Sequence, residues 1–150
     1  ISLFMEDGAE GSTGNVIVNN TIHQASDGRW GLNIQNGSTD NRVLNNIIVT
    51  QHTFRGAIDI SPDSLPGLVS DYNAVASRFT TNGGDSILTL AQWQTATGQD
   101  AHSLVATPAQ LFENWNAGDY RLRSGSPAIN QGTATSAPSR RSRMWPTSCG

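Results

Sequence analysis

Asn15-Val16-Ile17-Val18-Asn19-Asn20-Thr21-Ile22, laid over Asn41-Arg42-Val43-Leu44-Asn45-Asn46-Ile47-Ile48, matches asparagine at three positions and apolar residues at Ile17/Val43, Val18/Leu44 and Ile22/Ile48. The offset is 26 residues, from 15 to 41. The same offset carries Leu32-Asn33-Ile34 onto Ile58-Asp59-Ile60, and one further step carries Val43 to Val69, Asn45 to Asp71 and Asn46 to Tyr72. Two separate strand-like segments sharing one period are the signature of an internal repeat.

Each repeat holds short runs of alternating apolar and polar residues, such as Val16–Val18, Leu32–Ile34 and Ile58–Ile60, set between Asn, Gly, Asp and Ser. Strands this short form no free-standing sheet, but each can pair with its equivalent in the next repeat about 4.8 Å away. Stacking of that kind builds parallel sheets, with Ile17, Val43 and Val69 in one inward column and Leu32 and Ile58 in another. The expected architecture is all-β, a right-handed parallel β-helix of about 26 residues per coil. Asn19, Asn45 and Asp71, with Asn20 and Asn46, then occupy equivalent turns. Asparagine tolerates the left-handed backbone of such a corner and its amide bonds to the same residue one rung away. A structural ladder is the first reading of these residues and ligand binding the second. Tyr72 in the place of Asn46 marks the end of the ladder.

The composition agrees. Of 150 residues only 36% are hydrophobic and 14% charged, while thirteen are Asn and 15 are Gly, which disfavours a helical bundle. No run of eighteen apolar residues exists, so no membrane-spanning helix is expected. All nine basic residues are Arg, and a net charge of −3 gives no electrostatic reason for a nucleic-acid partner. The single Cys149 forms no internal disulfide and supplies no metal cluster. Opening at Ile1 with no leader-like segment, the chain reads as a fragment whose upstream coils are partners missing from it.

Beyond Val75 the period dissolves. Thr89 to Gly98 reads as a short helix, with Thr89 as N-cap, Gln92 closing a capping box and Gly98 past the end, and with Leu90 and Trp93 on one face. Asp119–Arg123 alternates like a strand. The expected organisation is coils over residues 1–77, a capping segment with one short helix over 78–137, and a non-native or disordered tail over 138–150 that carries Arg140, Arg141 and Arg143.

The stretch Trp93 to Ser103, then Leu111-Phe112, Gly118-Asp119-Tyr120-Arg121-Leu122 and Gly125 to Gly132, resembles the C-terminal end of bacterial right-handed parallel β-helix repeat proteins. Their fold is that of polysaccharide lyases, glycosidases and epimerases. The resemblance implies a secreted or cell-envelope protein that acts on or binds a polysaccharide. Within that class a lyase sometimes uses Ca²⁺, which the full-length protein would then bring; this sequence shows no cofactor site. The competing class is a non-catalytic surface or adhesin-like scaffold.

Chemistry is thinner. Arg29 and Arg55 are again 26 apart, and two guanidiniums on adjacent coils repel unless an anion lies between them. A uronate carboxylate fits that role, and so do Asp27 and Asp59 as local neutralisers. Trp30 beside Arg29 would stack on a sugar or pack in the core. A lyase needs a base as well as a neutraliser, for which His23 and His52 are the candidates; a glycosidase needs two carboxylates, for which Asp59, with Asp63 or Asp71, is available. Asp59 stands where the preceding coil has Asn33. Asp100, His102 and Ser103 lie too close together for a hydrolase triad and read as local turn bonds. The glycine-rich Asp7–Gly14 loop, with Asp7 and Glu10, forms neither a phosphate loop nor a calcium site.

Overall fold

The computed structural model describes residues 1–5 and 9–134. The expected tail over 138–150 and Asp7 of the glycine-rich loop lie outside them. The chain is rich in short strands, with few helices. In order these are β1 (Ser2–Leu3), β2 (Val16–Val18), β3 (Thr21–Gln24), β4 (Leu32–Ile34), β5 (Arg42–Leu44), β6 (Ile47–Thr50), β7 (Ile58–Ile60), β8 (Val69–Asp71), β9 (Ala74–Val75) and β10 (Phe79–Thr80). Helix α1 (Leu90–Thr97), β11 (Leu104–Val105), α2 (Pro108–Leu111), β12 (Phe112–Asn114) and β13 (Asp119–Leu122) follow.

As far as β10, every third strand returns to the same sheet, and β11 then joins the sheet of β9. The first sheet runs β1-β4-β7-β10, the second β2-β5-β8 and the third β3-β6-β9-β11, and all their pairings are parallel. Ile17 pairs with Val43 and Leu32 with Ile58, and all four are buried. With Ile22, Ile34, Ile48, Ile60, Val75 and Phe79 they form one apolar core. Burial of apolar side chains at about 25 cal/mol per Å² is what holds so many two- and three-residue strands together.

The third repeat is one residue longer than expected. Ser38 pairs across to Ser64 at 26 residues, but Arg42 pairs with Val69 and Val43 with Ser70, at 27. The extra residue enters between Ser64 and Val69, around the Pro66-Gly67 turn. A slip of one turns each side chain to the other face. Val69 is therefore 43% exposed, in file with Arg42, and Ser70 takes the inward place below Val43.

The same slip corrects the ladder. Asn20 donates from both its backbone N–H and its side-chain amide to Asn46 Oδ1, each at 3.0 Å. Asn46 repeats the pair to Asn73 Oδ1 at 2.9 and 3.1 Å. The third rung is thus Asn73 and not Tyr72, and Asp71 lies outside the ladder. Asn73 in turn donates to Asp100 Oδ1, and Asp100 Oδ2 accepts the indole N–H of Trp93. Two further files, Ser12-Ser38-Ser64 and Asn15-Asn41, use the same one-repeat spacing. Asn19 and Asn45 stand instead at the outer corner in the left-handed region, and the slip puts Tyr72 (φ 57°) in their position.

Helix α1 has the expected Thr89/Gln92 capping box and Gly98 terminus, and its Trp93 is fully buried, stacked on Phe79 at 5.2 Å. Leu90 packs on the same core. A second short helix, α2, was not expected, although Thr107-Pro108-Ala109-Gln110 carries the same signal: Gln110 Oε1 accepts from the Thr107 N–H and hydroxyl. Beyond it the described residues run back along the third sheet: the antiparallel β12–β13 pair joins Leu111 and Phe112 to Val49 and Ala74, a second apolar cluster that includes β6 and β9. Tyr120 so reaches His23 in the first repeat.

Asn46 is 1% exposed and its amide also donates to the carbonyls of Ile17 and Leu44. Asn46→Ala is expected to cost about 2–3 kcal/mol in urea unfolding, because buried partners lose their bonds, whereas exposed Asn20→Ala should cost under about 1 kcal/mol.

Candidate functional site

The residues that carry chemistry in the sequence fall on three different parts of the surface. Arg29 and Arg55 keep the repeat register. Gly31 donates its N–H to the Gly56 carbonyl and Leu32 to that of Ala57, so the 26-residue register extends into the segments joining the third sheet to the first. Arg29 and Arg55 occupy equivalent places there, on adjacent rungs. Arg29 is exposed and Arg55 half-buried, and among the described residues neither has a carboxylate within ion-pair distance. Asp27 and Asp59 do not neutralise them.

Two further residues complete this surface. Arg78, in the connection before β10, donates through its guanidinium to the Phe54 carbonyl. Its backbone runs so close to Gly56 that a Cβ there would collide with it, which is why a glycine follows Arg55. Phe54 is 50% exposed. The β7–β10 register is shortened to 21 residues, which sets Arg78 against Ala57 and not Arg55, so the repeat could not reveal it. Trp30 is 8% exposed, and Gly84 (φ 107°) passes beside both rings: a Cβ on it would lie 3.2 Å from Phe54 and 3.3 Å from Trp30. Phe54, rather than Trp30, is the open aromatic face.

His52 sits in the same loop as a turn former. Its Nδ1 accepts the N–H groups of Phe54 and Arg55, each at 2.9 Å. The neutral ring then carries its proton on Nε2, and the lone pair a base would use is already engaged. His23 lies apart on β3 in the third sheet, its Nδ1 2.9 Å from the Tyr120 hydroxyl and its ring edge-on to Trp115. Burial pushes its pKa down and its Nε2 is enclosed without a hydrogen-bond partner.

Asp59 belongs to the outer file of the first sheet, Ser2-Asn33-Asp59-Thr80. It is 4% exposed and its Oδ1 has no hydrogen-bond partner. Thr80 Oγ1 accepts the N–H groups of Asn82 and Gly84, which folds the Thr81–Asp85 turn back toward this file. Burial raises the Asp59 pKa, and the Gln35 amide and Gly83 N–H only partly offset it. Asp63 does not join it, being held by Ser61 and Ser64. Asp71 lies on β8 of the second sheet, paired with His102 at 2.7 Å. Ser103 bonds Asp100 at 2.6 Å within the turn, as its spacing suggested.

Among the described residues no three His, Cys, Asp or Glu side chains gather as a metal ion requires, and no helix is long and apolar enough to cross a membrane. Compared with protein-family models, with curated proteins and with solved structures, the chain has no match.

A raised acid pKa means that the folded state binds the proton more tightly than the unfolded chain, so this group's contribution to stability falls as pH rises past about 4, the unfolded value. Asp59→Asn copies the preceding rung and removes the charge. It should raise the melting temperature at neutral pH, with the gain disappearing at or below about pH 4 in a pH series of thermal melts.

Proposed function

We propose that the three parallel sheets close around the core as a right-handed parallel β-helix, similar to those of secreted bacterial carbohydrate-active proteins, and that the chain binds an acidic polysaccharide along Arg29 and Arg55. The observation that carries this reading is the pair of guanidiniums on adjacent rungs, neither of which has a carboxylate within ion-pair distance among the described residues. Repeated charge along a stack suits a repeated anion along a polymer, and the planar fork of Arg matches a uronate carboxylate in a bidentate way. Phe54 supplies an apolar ring beside the charges, suited to a sugar's C–H face. Secretion or attachment to the cell envelope goes with this reading.

Binding is favoured over catalysis because the groups that chemistry needs are dispersed: His23 on another sheet, His52 tied to its own turn, Asp63 tied to serines. One observation favours the enzyme as a second reading. A carboxyl kept protonated by burial is what a glycosidase uses to protonate the leaving oxygen, and Asp59 has that character. A second carboxylate from another part of the protein would have to stand across the bond.

Polygalacturonate is the probe for the first reading, with dextran as the neutral control. The Arg29→Ala/Arg55→Ala double variant should weaken polygalacturonate binding at least about tenfold, equivalent to about 1.4 kcal/mol. Raising salt from about 0.05 to 0.5 M should weaken the unmodified chain in the same direction. Unchanged affinity in the double variant, measured by titration calorimetry, would remove the basis for this function.

A further inference from the structure

On the other side of each repeat, where the second sheet turns into the third, Asn19, Asn45 and Tyr72 share one corner position, and the C-terminal segment around Gln131 lies across it. Between them is a groove of about 320 Å³ whose lining also includes His102. From these residues we infer a second ligand site, one that takes a neutral sugar unit. The inference goes beyond the Arg29/Arg55 reading and does not depend on it, since the two surfaces share no residue.

Tyr72 is the first argument. At the corner the backbone is left-handed, with φ of 57° at Asn19, 58° at Asn45 and 57° at Tyr72. Asparagine is at home in that region, whereas a bulky aromatic there is an outlier, and such outliers gather at binding sites. The core gives no reason for the tyrosine. Its ring lies flat on His102, centroids 4.7 Å apart and planes 6° from parallel, and its hydroxyl has no partner among the described residues.

His102 is the second. Its Nδ1 is 2.7 Å from Asp71 Oδ2, while Asp71 Oδ1 accepts the N–H groups of His102 and Tyr72. One carboxylate thus fixes both rings of the aromatic wall. The imidazole remains 62% exposed with Nε2 available to a hydroxyl. The same bonds outweigh partial burial and hold the Asp71 carboxyl below its ordinary pKa.

The lining decides the ligand's charge. Among the described residues no Arg contributes to the groove. Of its polar groups, the Asn20, Asn46 and Asn73 amides are spent in the ladder and the Asn45 amide holds Thr133 at both ends; the Asn19 and Gln131 amides, the Thr21 hydroxyl, the imidazole and the phenol offer donors and acceptors together, as hydroxyls require. Among the described residues a uronate or phosphate would find no guanidinium there, and the imidazole of His102 already faces Asp71. Aromatic wall, the amides of Asn19 and Gln131, and a lining free of Arg, Asp and Glu among the described residues together match a neutral pyranose. One cavity of this size suits a sugar unit or two.

The whole chain, applied to an array of neutral and uronate-containing oligosaccharides, should retain at least one neutral glycan, whose affinity is then measured by calorimetry. Tyr72→Asn, which restores the residue suited to the corner, should melt no lower than the parent yet bind that glycan at least tenfold more weakly. Tyr72→Phe should keep most of the affinity, and Arg29→Ala/Arg55→Ala all of it. Retention of no neutral glycan, full binding by Tyr72→Asn, or loss in the arginine variant would each overturn the assignment. None of these results alters the outcome with polygalacturonate, so the two sites succeed or fail separately.

Discussion

The file of buried side-chain amides is the constraint on which the rest depends. Asn20, Asn46 and Asn73 are joined amide to amide from rung to rung, and the buried pair, Asn46 and Asn73, also donates to backbone carbonyls, so that the turn between second and third sheets has these buried groups satisfied. The file needs an end. Asp100 supplies it, taking the last amide on one oxygen and the Trp93 indole on the other. Hence the helix that closes the apolar core is fastened to the polar file, and two different kinds of interaction stop on the same rung.

The repeat made the strands, their parallel partners and the inward columns at Ile17/Val43 and Leu32/Ile58 legible from the residues alone. It misplaced Val69, Asp71 and Tyr72 for one physical reason. A turn absorbs an extra residue without disturbing the strands around it, while a fixed period does not record the change until the next asparagine is found one place later, at Asn73. The capping box of α1 was legible because its signal is local. That of α2 was equally local in Thr107 and Gln110 but sits in a segment without period. The path of residues 108–133 back over the third sheet is carried by contacts distant in sequence, Phe112 with Val49 and Tyr120 with His23, and nothing local encodes them.

The candidate site divides along the same line. Arg29 and Arg55 were visible because they keep the period; Arg78 and Phe54 were not, since a shortened connection and an aperiodic loop place them. Asp59 could be noticed as a departure from Asn33, but its burial comes from the Thr81–Asp85 turn, whose return depends on Thr80. His102 passed for a turn residue because its partner, Asp71, lies 31 positions earlier.

The contact between Tyr120 and His23 bears on how such a chain can change over evolutionary time. Repeat arrays ordinarily grow and shrink by duplication, each unit being content with its neighbours. Here an outer strap spans from the β12–β13 hairpin back to His23 on β3, and its length is set. One unit inserted between them would carry His23 about 4.8 Å out of reach. The strap therefore gauges the number of units between His23 and the hairpin, and tolerates substitution within those units more readily than insertion among them.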